Sequence, residues 1–288
     1  MNMKRMAFSV SFPPITLVLL SIGSTQVGSA FAKALFQQAG PAGVVLLRVG
    51  FAAAILFLLW RPQWRSQVRI HLWLLILFGL SLAFMNFAFY AAIERIPIGV
   101  AVALEFIGPL GVAVVNSRRR LDVLWVVLAG VGIGLLTPIG GFILDLWGIA
   151  LALLAGSLWA AYIILSARTG QALAGGEGLA WAMAIGAFVL LPVGIAAEGA
   201  SLLQPQLLFS GFGVALLASA IPYSLELEAL RSLPVQVFGV LLSLEPVAAA
   251  IAGFVILGER LEFQAMVAIL LVTIAAAGAA RFSGRSQI

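Results

Sequence analysis

Cysteine is absent from this chain, and histidine occurs once, as His71. Disulfides, thiolate metal sites and cysteine nucleophiles are therefore excluded, and a histidine metal cluster cannot be assembled. Charge is also scarce: Asp, Glu, Lys and Arg make up 9% of the residues, against 63% hydrophobic. A soluble domain carries roughly 25% charged and about 45–50% apolar residues. This chain cannot hide so much apolar surface in a core of its own, so lipid must be the solvent over most of it. No P-loop is present, which argues against ATP drive within the polypeptide. No loop carries a polar catalytic motif, and neither cofactor nor metal is expected. The net charge of +5 follows from basic loops facing a cytoplasm and needs no nucleic acid as partner.

What the chain does contain is a series of apolar runs, near 14–35, 42–60, 71–93, 98–116, 122–140, 146–166, 179–197, 207–227, 236–257 and 263–281. A helix needs about 20 apolar residues to cross roughly 30 Å of hydrocarbon. Backbone in lipid must satisfy its own hydrogen bonds, and the runs lack the short alternation of a barrel strand. The expected fold is an all-α integral membrane protein with ten transmembrane helices. Lys4 and Arg5 before an apolar run, with Ala30-Phe31-Ala32 beyond it, have the look of a signal peptide. Because the rest of the chain is equally hydrophobic, the run reads as a first span that is kept. With both termini in the cytoplasm, twelve of the 16 Lys and Arg fall in inner loops, which sets the orientation. Trp60, Trp64 and Trp73 near span ends suit an interfacial belt.

Two related halves are legible, residues 1–141 and 142–288. Pro97 and Pro109 in the first match Pro234 and Pro246 in the second at a constant separation of 137 residues. Arg120-Leu121-Asp122 echoes Arg260-Leu261-Glu262, and Gly23-Ser24 echoes Gly156-Ser157. Five spans per repeat make the halves enter the membrane from opposite sides. Inverted repeats of this kind mark secondary transporters, whose sites lie near the midplane between halves.

An ionisable side chain at bilayer depth is costly and usually faces a cavity or a partner. Lys33, Arg48, Glu105, Glu226 and Glu245 occupy such positions. Arg48 and Glu105 lie at similar depth, so they read either as a structural ion pair or as ligands for a substrate. Pro109 cannot donate to the carbonyl of Glu105, and Pro246 cannot donate to that of Leu242, so kinks are expected beside both carboxylates. Trp159 and Tyr162 in the sixth run line the site or simply pack helices; Gly130 and Gly134 read as a small-xxx-small packing pair. Buried groups of both signs suit a zwitterion, since each charge of the ligand then finds a partner. A carboxylate enclosed at this depth can also take up a proton instead of remaining charged.

These residues fall in stretches that resemble a known family. Ala32-Lys33-Ala34-Leu35-Phe36, Leu47-Arg48, the run from Ala101 through Glu105 and Pro109 to Leu110, Ser117-Arg118-Arg119, Pro222-Tyr223-Ser224-Leu225-Glu226 and Ser243-Leu244-Glu245-Pro246 resemble the drug/metabolite transporter superfamily with two EamA-type repeats. Within it the resemblance runs to the threonine/homoserine exporters of bacterial inner membranes. It implies a multi-pass inner-membrane exporter of small amino acids in exchange for protons, and it adds Tyr223 to the candidate site. One departure is visible: Leu242 stands in the second repeat where Glu105 stands in the first. A membrane enzyme, a channel, or an exporter of another metabolite or a cationic drug are the competing readings; a cationic drug would need the carboxylates but not Arg48.

Overall fold

The computed structural model describes residues 13–63, 66–115, 121–136, 145–173, 176–230, 233, 238 and 241–283, and every regular element among them is helical. In chain order these are α1 (Pro14–Ala34), α2 (Phe36–Trp60), the short α3 (Ser66–Ile70), α4 (Leu72–Arg95), α5 (Ile98–Glu105), α6 (Ile107–Val115), α7 (Leu121–Leu136), α8 (Leu146–Ala172), α9 (Glu177–Glu198), α10 (Pro205–Ala215), α11 (Ile221–Leu230), α12 (Glu245–Leu257) and α13 (Phe263–Ser283). A 3₁₀ turn, Gly199–Leu203, follows α9, and a π-helical turn, Leu216–Ala220, joins α10 to α11.

Chain chemistry sets the ends. Pro14 opens α1, and Pro97 precedes α5, because proline's fixed φ and missing N–H suit a first turn. Asp145 caps α8 by accepting from the Trp147 N–H at 2.8 Å. Gly258, at φ +67°, ends α12 in the left-handed conformation that glycine adopts without strain.

Six helical stretches are long and apolar enough to cross a membrane: α1, α2, α4, α8, α9 with its 3₁₀ turn, and Pro205–Glu226 running through the π turn. Shorter apolar helices, Ile98–Val112, Glu245–Leu257 and Phe263–Gly278, occupy three further expected runs. Two of these runs are interrupted. The fourth run breaks at Phe106, between α5 and α6, where Pro109 withholds the N–H that the Glu105 carbonyl would accept. Near the ninth run's Pro246, a turn at Ser243–Leu244 precedes α12, with Pro246 in its first turn. The loop Arg118–Arg120, the repeat residues Arg231 and Pro234, and most of the start of the ninth run lie outside the described residues.

Helices from the two sequence halves interleave. α4 packs on α8, α2 on α9, and α1 on α11 and α12. The tightest approach is at the Phe106 break. A Cβ on Gly156 would meet the Glu105 carbonyl oxygen at 2.5 Å, and a Cβ on Gly108 would overlap the Gly156 carbonyl. Backbone touches backbone there, which only glycine allows. Gly130, expected as a packing glycine, borders open space: a Cβ placed on it would meet nothing within 4 Å. Its neighbour Gly132 instead meets Val272, Ala268 and Leu271 of α13.

Candidate functional site

Arg48 is 5% exposed in the middle of α2. Its Nε donates to Ser219 Oγ at 3.0 Å, and its Nη2 donates to the Ala218 carbonyl at 2.9 Å. The guanidinium carbon lies 5.3 Å from the centre of the Tyr90 ring, a cation–π distance. Both polar partners sit on the π turn, and Pro222 explains their availability. With no N–H, Pro222 cannot bond to Ala218 in α register or to Leu217 in π register. The Leu217 carbonyl is taken by Ser24 Oγ at 2.6 Å, and that of Ala218 by Arg48. Two helices of the first half thus satisfy carbonyls that a proline leaves open in the second. The ion pair with Glu105, one of the two readings of these residues, is not made: the salt bridges seen among the described residues include Lys33–Glu259 and Arg95–Asp145 and none to Arg48. The π-turn groups occupy the Nε–Nη2 edge of Arg48, which holds the side chain away from an acidic partner.

Of the acids, Glu105 lies within electrostatic reach of this arginine without pairing with it, and Glu226 and Glu245 are linked to it through Tyr223 and Glu105. Glu105 ends α5 and Glu245 begins α12, each 9% exposed. Glu226, on α11, accepts from Ser21 Oγ at 2.6 Å. Tyr223, one turn earlier, lies within electrostatic reach of Arg48, Glu105, Glu226 and Tyr90. Glu245 is within the same reach of Glu226 and Glu105, and Tyr162 of Tyr223 and Glu226. Arg48, Glu105, Tyr162, Tyr223, Glu226 and Glu245 therefore form one neighbourhood at the helix breaks. Trp159 stacks edge-on against Phe106, 5.1 Å between centroids, and so braces the break; Tyr162 packs on Phe78 at 5.2 Å. Pro109 and Pro246 stand beside the breaks.

Lys33 is placed apart. Its Nζ donates to Glu259 Oε1 at 2.5 Å and to the Ile96 carbonyl at 2.9 Å, while Glu259 Oε2 accepts from the Ile98 N–H at 3.0 Å. A Cβ on Gly253 would lie 2.5 Å from the same carboxylate, so glycine makes room for Glu259 to fold back. Lys33 therefore ties the end of α1 to the start of α5 and the α12–α13 turn.

Sequence reasoning missed Ser21, Ser24, Gln26, Tyr90, Ser219 and Glu259. All but Glu259 are uncharged polar residues inside apolar runs, a weaker signal than a charge. Gln26 is 3% exposed and its Oε1 has no hydrogen-bond partner among the described residues. Glu259 sits at a run's end, where an acid is ordinary and carries no signal.

Comparison with known proteins meets this arrangement. The model of the EamA-like transporter family matches residues 146–281. "Threonine/homoserine exporter RhtA" of Salmonella typhimurium (strain LT2) is 42% identical over 270 residues, covering 92% of this chain and 90% of that protein. The protein of the same name from Escherichia coli (strain K12) is 42% identical over 253 residues, covering 86% and 84%. A solved crystal structure superposes with a TM-score of 0.62 at 17% identity, over 95% of this chain and 99% of the other; it supports the fold alone. With identity sustained over nearly the whole length and charged groups enclosed among apolar helices, the chain belongs to the EamA-like transporter family of the drug/metabolite transporter superfamily.

Proposed function

We propose that the protein exports small amino acids of the threonine/homoserine kind across a bacterial inner membrane, by alternating access and in exchange for protons. The observation that carries this reading is the buried Arg48, which among the described residues has no carboxylate within ion-pair distance, although the buried Glu105 lies within its electrostatic reach and Glu245 and Glu226 extend the acidic group beyond Glu105. A buried charge without a counter-ion is expensive. A zwitterion resolves both deficits at once, its carboxylate on the arginine and its ammonium among the acids. The names of the relatives point to the same substrates. A cationic drug would leave Arg48 unexplained.

Ten spans in two inverted repeats, residues 1–141 and 142–288, with both termini cytoplasmic, complete the proposal. The interruptions support it. Phe106 and Ser243 are separated by the same 137 residues as the repeat prolines, so each half would carry its break at one place. In this orientation, Lys33–Glu259 and Arg95–Asp145 lie at the outer face, and the acids alternate between proton and substrate.

Purified protein in liposomes, loaded with labelled threonine or homoserine, tests the reading. Efflux should exceed that of equally loaded protein-free liposomes, accelerate with the outside acidic, and carry protons inward as read by an enclosed pH dye. Efflux at the protein-free rate for both amino acids would sink the substrate assignment. Efflux indifferent to the gradient and without proton flux would remove the coupling.

A further inference from the structure

The guanidinium of Arg48 has two edges able to form paired hydrogen bonds. Its Nε–Nη2 edge is committed to Ser219 Oγ and the Ala218 carbonyl. Its Nη1–Nη2 end meets no carboxylate among the described residues. A carboxylate bound at that end would make two parallel N–H···O bonds, the geometry in which arginine outperforms lysine. An arginine side chain otherwise samples many rotamers, and fixing it costs conformational entropy. Here the fixing is done in advance by the protein. Ser219 is fully buried, and Pro222, having no N–H, leaves the Ala218 carbonyl without its α-register donor.

We infer that Ser219, with the Ala218 carbonyl opened by Pro222, is a positioning residue: it holds Arg48 by one edge so that the other is set to receive the substrate's carboxylate. This rests on the zwitterion reading above and deepens it. Ser24 supplies an internal comparison. Its hydroxyl donates to the same π turn, at the Leu217 carbonyl, but it does not accept from the guanidinium as Ser219 does. Loss of Ser24 should loosen the turn; loss of Ser219 should loosen the arginine.

The test compares threonine with threoninol, in which a hydroxymethyl group replaces the carboxylate. Binding is read as the ligand-induced rise in melting temperature of detergent-purified protein, and transport as KM and maximal rate in liposomes. Wild type should prefer threonine strongly. In Ser219→Ala the KM for threonine should rise about tenfold, the loss of a hydrogen bond to a charged group, with maximal rate per protein within about twofold. Preference over threoninol should shrink by the same factor. Ser219→Cys, of similar size but a weaker acceptor, should fall between. Ser24→Ala should lower the melting temperature and keep the preference. If Ser219→Ala melts lower but retains wild-type preference, the residue is merely structural and the inference is overturned. If Ser219→Ala cannot be purified, Ser219→Cys decides by the same ratio. If wild type itself binds threonine no better than threoninol, the zwitterion reading fails first and takes this inference with it.

Discussion

At the scale of single residues, what decides the site is which charges are already satisfied. Lys33, Arg48 and Glu105 looked alike in sequence, since each is a charge set in an apolar run. Depth along a run was legible; rotamer and partner were not. Lys33 turned out to be occupied by Glu259, some 226 residues away, and Arg48 by a serine and a carbonyl on a π turn, partners that no local spacing announces. The distinction gives a prediction. Arg48→Lys keeps the charge but cannot span Ser219, Ala218 and a carboxylate together. Threonine efflux should drop about tenfold or more at equal protein level; full activity in the lysine variant would show that charge alone suffices. Asp145 gives a second. The Arg95 guanidinium beside it, and then the Trp147 N–H, hold its carboxyl below the ordinary value. Its contribution to stability is therefore present above the ordinary carboxylate range and is lost as pH falls through the lowered value. The pair is solvent-exposed, so Asp145→Asn should lower the melting temperature only slightly at neutral pH, and the variant and wild-type profiles should converge toward the acid end of a scan from about pH 7 to about pH 3.

At the scale of elements, the prolines were the readable signs and the glycines were partly misread. Pro109 announced the break beside Glu105, because a missing N–H can be located from sequence alone. Which glycine packs cannot be so located. Gly130 faces open space, while Gly108 and Gly156 hold two backbones in contact, a pairing set by the crossing of α6 with α8. Gly108→Ala or Gly156→Ala should each cost several kcal/mol, beyond the roughly 1–3 of ordinary overpacking, because the obstruction is backbone. Gly130→Ala should be neutral or slightly stabilising, through its higher helix propensity. Comparative melting of the three variants in detergent checks this, and an intact Gly108→Ala protein would mean that the break is not so tightly held. The π turn was invisible beforehand, though Pro222 was in view. Pro222→Ala restores an N–H able to bond the Ala218 carbonyl. The helix should then close into regular α form, with melting temperature kept or raised, and threonine affinity should fall as Arg48 loses its acceptor. Unchanged KM in this variant would separate the turn from binding.

For the whole molecule, the helical class and membrane setting were legible because composition alone forces them. The interleaving of the halves was not, since nothing in a hydropathy pattern says that α4 lies on α8. It is at this scale that Lys33–Glu259 matters. The pair ties α1 to the start of α5 and the turn after α12, with side chains 19% and 15% exposed, at the end of the bundle assigned above to the outside. Since the chain has no cysteine, one can be placed at the buried Val100, just beyond the tie. Lys33→Met should raise its rate of labelling by a membrane-impermeant maleimide several-fold in intact cells. Equal labelling with and without the tie would mean that this end is closed by packing alone.

The bonds from Ser24 and Arg48 to the π turn have a consequence for how the chain can be divided. Each half presents polar groups that the other satisfies, Ser24 and Arg48 on one side and the Leu217 and Ala218 carbonyls on the other. Two polypeptides made separately, one ending at Leu136 and one beginning at Asp145, should reassemble in a membrane into a working carrier. The same fragments bearing Arg48→Ala and Ser24→Ala should remain strangers.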